Sequence, residues 1–366
     1  MKLIHCADLH LDASMASRLG REKARERRAE LLHTFERMVS YAGSHDVKGI
    51  IIAGDLFDTK KISATAVNTV KAAITANPGL SFYYLRGNHD TGNFPGGPED
   101  TPDNLKLFSD NWITYVLETG GKEIAISGVE LNRENTTTVY DAVPMNRDRF
   151  HIVVLHGQTS EHAKSGAETI RLRKLRNKGI DYLALGHIHT YQTGTLDSRG
   201  SYCYAGCLEG RGFDECGAHG FVLLDIDAES GTFTQTLIPI AERCLYTVES
   251  DISGCMTTTE ISEKLKQDLA KQDFGQKNLL KIILKGSVDV ACEKNLDLLT
   301  RKMEDICYFI TICDETTVHV DYHTYARDES LKGEFVRLVS GADLEEADKG
   351  TIIRYGLQAL AGEDFV

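Results

Sequence analysis

The chain has 366 residues, 42% of them hydrophobic and 26% charged, and 41 Lys and Arg against 54 Asp and Glu leave a net charge of −13. Such a length exceeds what one core usually organises and predicts two domains plus a small appendage, in a composition ordinary for a soluble globular protein. No apolar run approaches the roughly 20 residues that span a bilayer, so no membrane segment is expected. Self-sufficient nucleic-acid binders carry a basic excess, and none is present.

Residues 1–6 read as a buried strand, with Leu3 and Ile4, running out at Asp8. Residues 19–44 are densely charged, with Leu31, Leu32, Phe35, Met38 and Val39 at helical spacing. The run Gly49-Ile50-Ile51-Ile52-Ala53 predicts a second buried strand ending at Gly54-Asp55, residues 62–77 a helix that stops near Pro78, and residues 81–85 a third strand ending at Gly87-Asn88-His89-Asp90. A Gly/Pro-rich loop follows at 91–103. Strands are expected at 123–129 and 151–155, a helix at 165–178, and a strand at 181–185 leading to Gly186-His187-Ile188-His189. Residues 200–240 read as short β segments joined by Gly-rich turns. Strand–helix alternation of this kind predicts two sheets covered by helices, an α/β layered fold.

The pattern changes near residue 245. Strand 245–249, helix 257–271, strand 279–285, helix 293–304 and strands 307–313 and 317–322 are expected there, a compact α+β module resembling two split βαβ halves. Residues 327–366 read as mostly helical and charged. Leu331, Phe335, Val336 and Leu338, then Ile352, Ile353, Leu357 and Leu360, supply apolar faces. The expected domains are 1–244, 245–325 and 326–366. The first residues are too poor in apolar side chains for a signal peptide, so no cleaved leader is expected. Nine cysteines, odd in number and without a Cys-x-x-Cys pair, read as reduced thiols of a cytoplasmic protein. Cys203, Cys207 and Cys216 are the closest set, and a soft-metal cluster there is disfavoured.

Five motifs carry the chemistry: Asp8-Leu9-His10, Gly54-Asp55, Gly87-Asn88-His89-Asp90, His156-Gly157 and Gly186-His187-Ile188-His189. Each follows a short apolar strand, and in open α/β sheets ligands bind beyond the carboxyl ends of strands. Alternate residues of an extended chain point the same way, so Asp-x-His and His-x-His deliver two side chains to one place. Imidazole and carboxylate together suit Mn, Fe or Zn, and a carboxylate such as Asp55 can bridge two ions. Two divalent ions about 3.5–4 Å apart suit phosphoester hydrolysis. His89 follows Asn88 at the same strand end and is better placed for substrate than for metal, as a general acid or a stabiliser of developing charge. His5, His33, His45, His151, His162, His219, His319 and His323 lack this context and are expected to be structural.

This order of motifs resembles the calcineurin-like metallophosphoesterase superfamily over about residues 1–240, and within it the SbcD-type DNA repair exonucleases. Further likeness lies in Ala7-Asp8-Leu9-His10-Leu11-Asp12, Gly54-Asp55-Leu56-Phe57-Asp58 and Leu208-Glu209-Gly210-Arg211-Gly212-Phe213-Asp214-Glu215. The resemblance implies a four-layer sandwich, two sheets flanked by helices, with a smaller α+β capping domain and a helical C-terminal tail. It implies two divalent metals, manganese by preference. Asp8, His10, Asp55 and His189 would hold the first; Asp55, Asn88, His156 and His187 would hold the second. His89 matches the catalytic histidine. The implied substrate is DNA, and the implied partners are a second copy of the chain and an SMC-like coiled-coil ATPase docked by residues 326–366. One departure is Asp58, where some of these nucleases carry a histidine that handles the DNA end. Two other functions compete: hydrolysis of small-molecule or nucleotide phosphoesters, which needs neither cap nor tail, and a non-catalytic scaffold for the ATPase, which needs no intact ligand set.

Overall fold

The computed structural model describes every residue except 16–18, 59–61, 91–93, 95–99, 147, 161–167, 291, 320–324, 326 and 362–366. The chain divides into two compact units, Met1–Cys244 and Leu245–Val366. In the first, the elements in chain order are β1 (Lys2–Cys6), α1 (Arg21–Ser44), β2 (Val47–Ala53), α2 (Ala64–Thr75), β3 (Ser81–Leu85), β4 (Leu105–Leu107), β5 (Ile113–Thr119), β6 (Lys122–Gly128), β7 (Phe150–His156), β8 (Gln158–Ser160), β9 (Thr169–Arg171), α3 (Leu172–Leu175), β10 (Tyr182–Gly186), β11 (Gln192–Thr195), β12 (Ser201–Tyr204), β13 (Gly220–Asp227) and β14 (Thr232–Pro239).

Two six-stranded sheets result, ordered β14-β13-β1-β2-β3-β4 and β11-β12-β10-β7-β6-β5. Their central strands are parallel and read as unbroken apolar runs because both faces are covered. Leu3, Ile51, Tyr83 and Leu85 of one sheet interdigitate with Ile124, Ile152, Val154 and Tyr182 of the other. The outer face of the first sheet carries α1 and α2, with Phe35, Met38, Val70 and Ile74 against Ile4, Ile50, Ile52 and Phe82. Leu172, Leu175, Val139 and Tyr140 cover the outer face of the second. This is the layered α/β sandwich that the alternation of strands and helices predicts. Register aligns the strand ends: Cys6 lies opposite Ile52, Ala53 opposite Leu85, and Gly186 opposite His156. The carboxyl ends of β1, β2, β3, β7 and β10 therefore open on one rim.

Two expectations change. In place of a helix over 165–178, Thr169–Arg171 is strand, paired with β8, and one helical turn follows at Leu172–Leu175. Ile170 and Leu172 are both buried two residues apart, which is strand periodicity, and the Glu168 carbonyl accepts the Gln158 N–H at 2.8 Å. Residues 161–167, including His162, lie outside the described part. Strand β5 has no counterpart among the expected elements: it lies at the end of its sheet, and its residues are mostly half-buried or exposed and offer little apolar signal.

In the second unit, β15 (Leu245–Asp251), α4 (Thr258–Leu269), β16 (Leu279–Lys285), β17 (Ser287–Asp289), α5 (Leu296–Met303), β18 (Phe309–Asp314) and β19 (Thr317–His319) precede α6 (Leu331–Ser340) and α7 (Glu346–Ala361). Strands β15, β16 and β18 are parallel neighbours in that order. The module is thus two overlapping βαβ units sharing β16, not two split halves. A capping box between Thr257 and Glu260 starts α4, and Ile261, Leu265, Leu299 and Met303 pack on Leu280, Ile282 and Ile310. The expected strand 317–322 is described over Thr317–His319; His323 lies outside the described residues. Helices α6 and α7 pack on each other, and α7 packs on β19, burying Val336 and Ile353 in a cluster with Val290, Val318 and Tyr325. Leu331 and Leu338 stay 70% and 67% exposed.

Candidate metal centre

All seven residues singled out as ligands meet at the common rim. His10 Nε2 lies 3.3 Å from His189 Nε2 and 3.8 Å from Asp55 Oδ2. His156 Nε2 lies 3.4 Å from Asp55 Oδ2 and 2.9 Å from Asn88 Oδ1, which is itself 3.3 Å from His187 Nδ1. Asp8 accepts the His187 backbone N–H on both oxygens, at 2.9 and 3.0 Å. Donor atoms of Asp8, His10 and His189 form one group within 4.8 Å, and those of Asp8, Asp55 and His156 another. The chain is bent hard to do this. Seven non-glycine residues among those described have φ in the left-handed region, and four are Asp8 (52°), His10 (45°), Asp55 (54°) and His187 (101°). Such strain costs about 1–3 kcal/mol per residue and collects at functional sites. The strand-end backbones hold the bends, Asp8 N–H donating to Gly54 O and His10 N–H to Asp55 O at 3.1 and 2.9 Å.

Proton placement leaves nitrogen lone pairs facing inward. His156 Nδ1–H donates to the Ala53 carbonyl at 2.9 Å, which leaves Nε2 bare toward Asn88 and Asp55. Three acceptors then converge, an arrangement that needs a proton or a cation among them. Without a cation a proton serves: burial opposes charge on His156, but the Asp55 carboxylate outweighs it and lifts the ring to about 9. Asp55 itself falls to about 2, burial being overcome by His156. Burial raises Asp8 to about 6 and lowers His10 to about 3, so His10 presents a neutral ring. Glycine is obligatory at two points. A Cβ on Gly87 would stand 2.1 Å from Asp55 Oδ1, and one on Gly54 2.0 Å from His156 Nδ1. Buried carboxylates, imidazoles and an amide oxygen, aimed together and pressed against side-chain-free backbone, fit divalent metals.

His89 sits beside this group, its ring edge-on to His10 with centroids 4.9 Å apart. Its Nδ1 lies 3.1 Å from Asp58 Oδ1, and the same oxygen is 2.9 Å from His10 Nδ1. Asp58 Oδ1 thus lies within 3.1 Å of ring nitrogens of two histidines, although His10 Nδ1 makes no hydrogen bond among the described residues. Three further residues were not assigned from sequence. Asp90 accepts the N–H groups of Leu56 (3.1 Å), Phe57 (2.9 Å) and Gly87 (3.0 Å), tying together the turns that carry Asp55 and Asn88. Glu215 lies 2.6 Å from His189 Nδ1, and Arg211 reaches Glu215 and Asp58 at 3.1 and 3.5 Å. The signal for Asp90 was its place in Gly-Asn-His-Asp, and for Glu215 its place in Gly-Phe-Asp-Glu. A cavity of about 450 Å³ adjoins Asn88 and His156, and Asp110, Glu130 and Glu168 line it. Among the other histidines, His5 meets the Tyr182 hydroxyl at 2.8 Å and His151 the Ser127 hydroxyl at 2.8 Å inside the core. The nine cysteines form no disulfide among the described residues. Cys203 is buried between the sheets and Cys216 is exposed, so the three cysteines near residue 210 form no cluster.

Sandwich and rim together define a metallophosphoesterase. The calcineurin-like phosphoesterase family model matches residues 1–191, more than half of the chain, and the chain belongs to that family. It is a metal-dependent phosphoesterase. It is similar to the uncharacterized metallophosphoesterase YhaO of Bacillus subtilis, 28% identical, with 62% of this chain and 57% of that protein aligned. It is also similar to the DNA double-strand break repair protein Mre11 of Saccharolobus solfataricus, 24% identical across 100% of this chain and 97% of that protein. The Mre11 of Aeropyrum pernix is 26% identical across 77% and 72%.

Proposed function

We propose that the chain hydrolyses DNA phosphodiesters in repair, as an exonuclease or endonuclease of the SbcD and Mre11 type. What carries this reading is seven donor side chains on one rim, in a chain that aligns end to end with an Mre11 protein. Asp8, His10, Asp55 and His189 would hold one divalent cation, and Asp55, Asn88, His156 and His187 the other; the donor types suit Mn, Fe or Zn, and the family resemblance implies manganese. Such a pair supplies Lewis acidity toward phosphate and an activated water. Asp55 keeps the two halves in register. Asn88 presents its amide oxygen between His156 and His187. Asp58 Oδ1 lies 3.1 Å from His89 Nδ1, and His89 as the imidazolium would give its Nε2 proton to the leaving oxygen. Leu245–Tyr325 would act as a cap. The segment 326–366 would dock an SMC-like ATPase, its exposed Leu331, Leu338 and Leu344 offering the contact. A homodimer in the cytoplasm completes the proposal, since nine cysteines with no Cys-x-x-Cys pair in the sequence suit a reducing compartment.

One observation favours a second reading, hydrolysis of small-molecule or nucleotide phosphodiesters. The cavity beside Asn88 and His156 is acidic, and the net charge of −13 repels a polyanion. Purified protein assayed with Mn2+ on end-labelled duplex DNA and on an aryl phosphodiester decides. Hydrolysis of both supports the DNA reading, hydrolysis of the aryl ester alone supports the second, and hydrolysis of neither overturns both and leaves a scaffold.

A further inference from the structure

The segment Leu208–Glu215 joins β12 to β13 and ends beside His189. Its first half is anchored in the core. Glu209, 1% exposed, accepts the Thr34 hydroxyl at 2.7 Å and the Glu242 backbone N–H. Arg27, also 1% exposed, donates to the Gly210 carbonyl at 2.7 Å. Thr34 and Arg27 belong to the long helix α1, so the segment is held by a rigid element. Its second half closes on itself, with Glu215 N–H donating to Gly212 O at 2.9 Å and Arg211 N–H to Glu215 Oε2 at 2.7 Å. Glu215 is 7% exposed, and the His219 ring bonds its backbone carbonyl at 2.8 Å.

We propose that Glu215 is a positioning residue that fixes the tautomer of His189, an inference that rests on the reading of His189 as a metal ligand. Glu215 Oε1 lies 2.6 Å from His189 Nδ1. A carboxylate has acceptors only, so the proton is on Nδ1 and the lone pair on Nε2. That lone pair is the one that faces His10 Nε2 and groups with Asp8. Arg211 Nη2 also lies 3.2 Å from His189 Nδ1, but two donors do not bond each other. The guanidinium instead bonds Glu215 Oε1 at 3.1 Å, holding the carboxylate in place. With both oxygens engaged, Glu215 acts through His189 and is not a ligand. A free imidazole prefers its proton on Nε2, and that tautomer would point N–H into the site and block coordination.

The test is nitrogen-15 NMR of the histidine-labelled full-length chain, metal-free at alkaline pH where the ring is neutral, together with calorimetric titration of Mn2+. His189 is expected as the Nδ1–H tautomer. Glu215→Ala should move the proton to Nε2 and weaken one Mn2+ site by about 10–100-fold. Glu215→Gln, whose carbonyl still accepts, should restore the tautomer and most of the affinity. If Glu215→Ala does not fold, Glu215→Leu, which fills more of the space and has no acceptor, takes its place. An Nε2–H tautomer in the unaltered chain, or unchanged tautomer and affinity in a folded acceptor-free variant, overturns the proposal. An unaltered chain that binds no Mn2+ overturns the metal reading of His189, while an Nδ1–H ring still supports the Glu215 contact.

Discussion

His156 and His189 solve the same problem with different partners. A histidine can hold a metal through one nitrogen only if the other carries the proton, and here a backbone carbonyl does this for His156 and a carboxylate for His189. His89 is a third case, with Asp58 Oδ1 3.1 Å from its Nδ1, and it groups with His10 and Asp58 and not with Asp8 or Asp55. On the proposed roles, Glu215 and Ala53 would serve metal binding and Asp58 would serve turnover. His89→Ala should keep the full metal content and lose activity by about 10²–10⁴-fold, the range for a missing acid–base group; metal analysis beside a rate measurement checks it, and joint loss of both would show His89 to be a ligand. Gly87→Ala tests the cradle. Its Cβ would meet Asp55 Oδ1 at 2.1 Å and the Asp55 backbone nitrogen at 2.6 Å, so Asp55 must shift. Calorimetry should show Mn2+ affinity down by at least about tenfold, with the chain still folded.

Among the elements, the strands that end at the rim were legible in the sequence, because apolar runs flanked on both sides by Gly, Asp and His leave little choice of structure. Ile50–Ala53 before Asp55 and Leu183–Gly186 before His187 are of this kind. Half-exposed β5 and the strand at Thr169–Arg171 were not legible, since their pairing depends on neighbours distant in sequence. The same holds for the contacts of Glu215, Asp58 and Arg211 with the site, which exist only once α1 and the strand ends are packed. Helix α1 is legible as a helix from its apolar spacing, but nothing in that spacing shows its role behind the site. It buries Arg27 and Glu30 beside Arg243. Burial alone would raise the Glu30 carboxyl, but bonds from Arg243 and the charge of Arg27 outweigh it and hold it below its usual value. Glu209 in the same network goes the other way, burial dominating over Arg27. A depressed carboxylate contributes stability that is full above its unfolded value of about 4.3 and is lost as pH falls through the folded value. Thermal melts from neutral to acid pH should therefore fall less steeply for Glu30→Gln than for the unaltered chain. At neutral pH the variant should be less stable by about 1.5–3 kcal/mol, the worth of hydrogen bonds to a charged group. Parallel pH profiles would show that the pair contributes nothing.

For the whole molecule, the division at Cys244 and Leu245 assigns every proposed catalytic residue to the first unit. The C-terminal helices belong to the second, where Val336 and Ile353 close a small core over Val290 and Val318. The apolar stripe expected from the sequence is thus split, one side buried in its own unit and the other exposed. Truncation after Tyr325 should destabilise the second unit, each buried side chain being worth about 1.5–3 kcal/mol. It should leave metal content and hydrolysis of a small phosphodiester intact. Calorimetry resolving the transition of each unit checks this, and loss of metal would show that the first unit depends on the tail.

Asp55 decides most, because its carboxylate lies between His10 and His156 and is assigned to both cations. Equilibrium dialysis of the full chain against Mn2+, with and without Asp55→Ala, measures that role directly. Two ions per chain in the unaltered protein and none in the variant are expected. A folded Asp55→Ala chain that still binds two ions would contradict the bimetal centre on which the proposed chemistry stands.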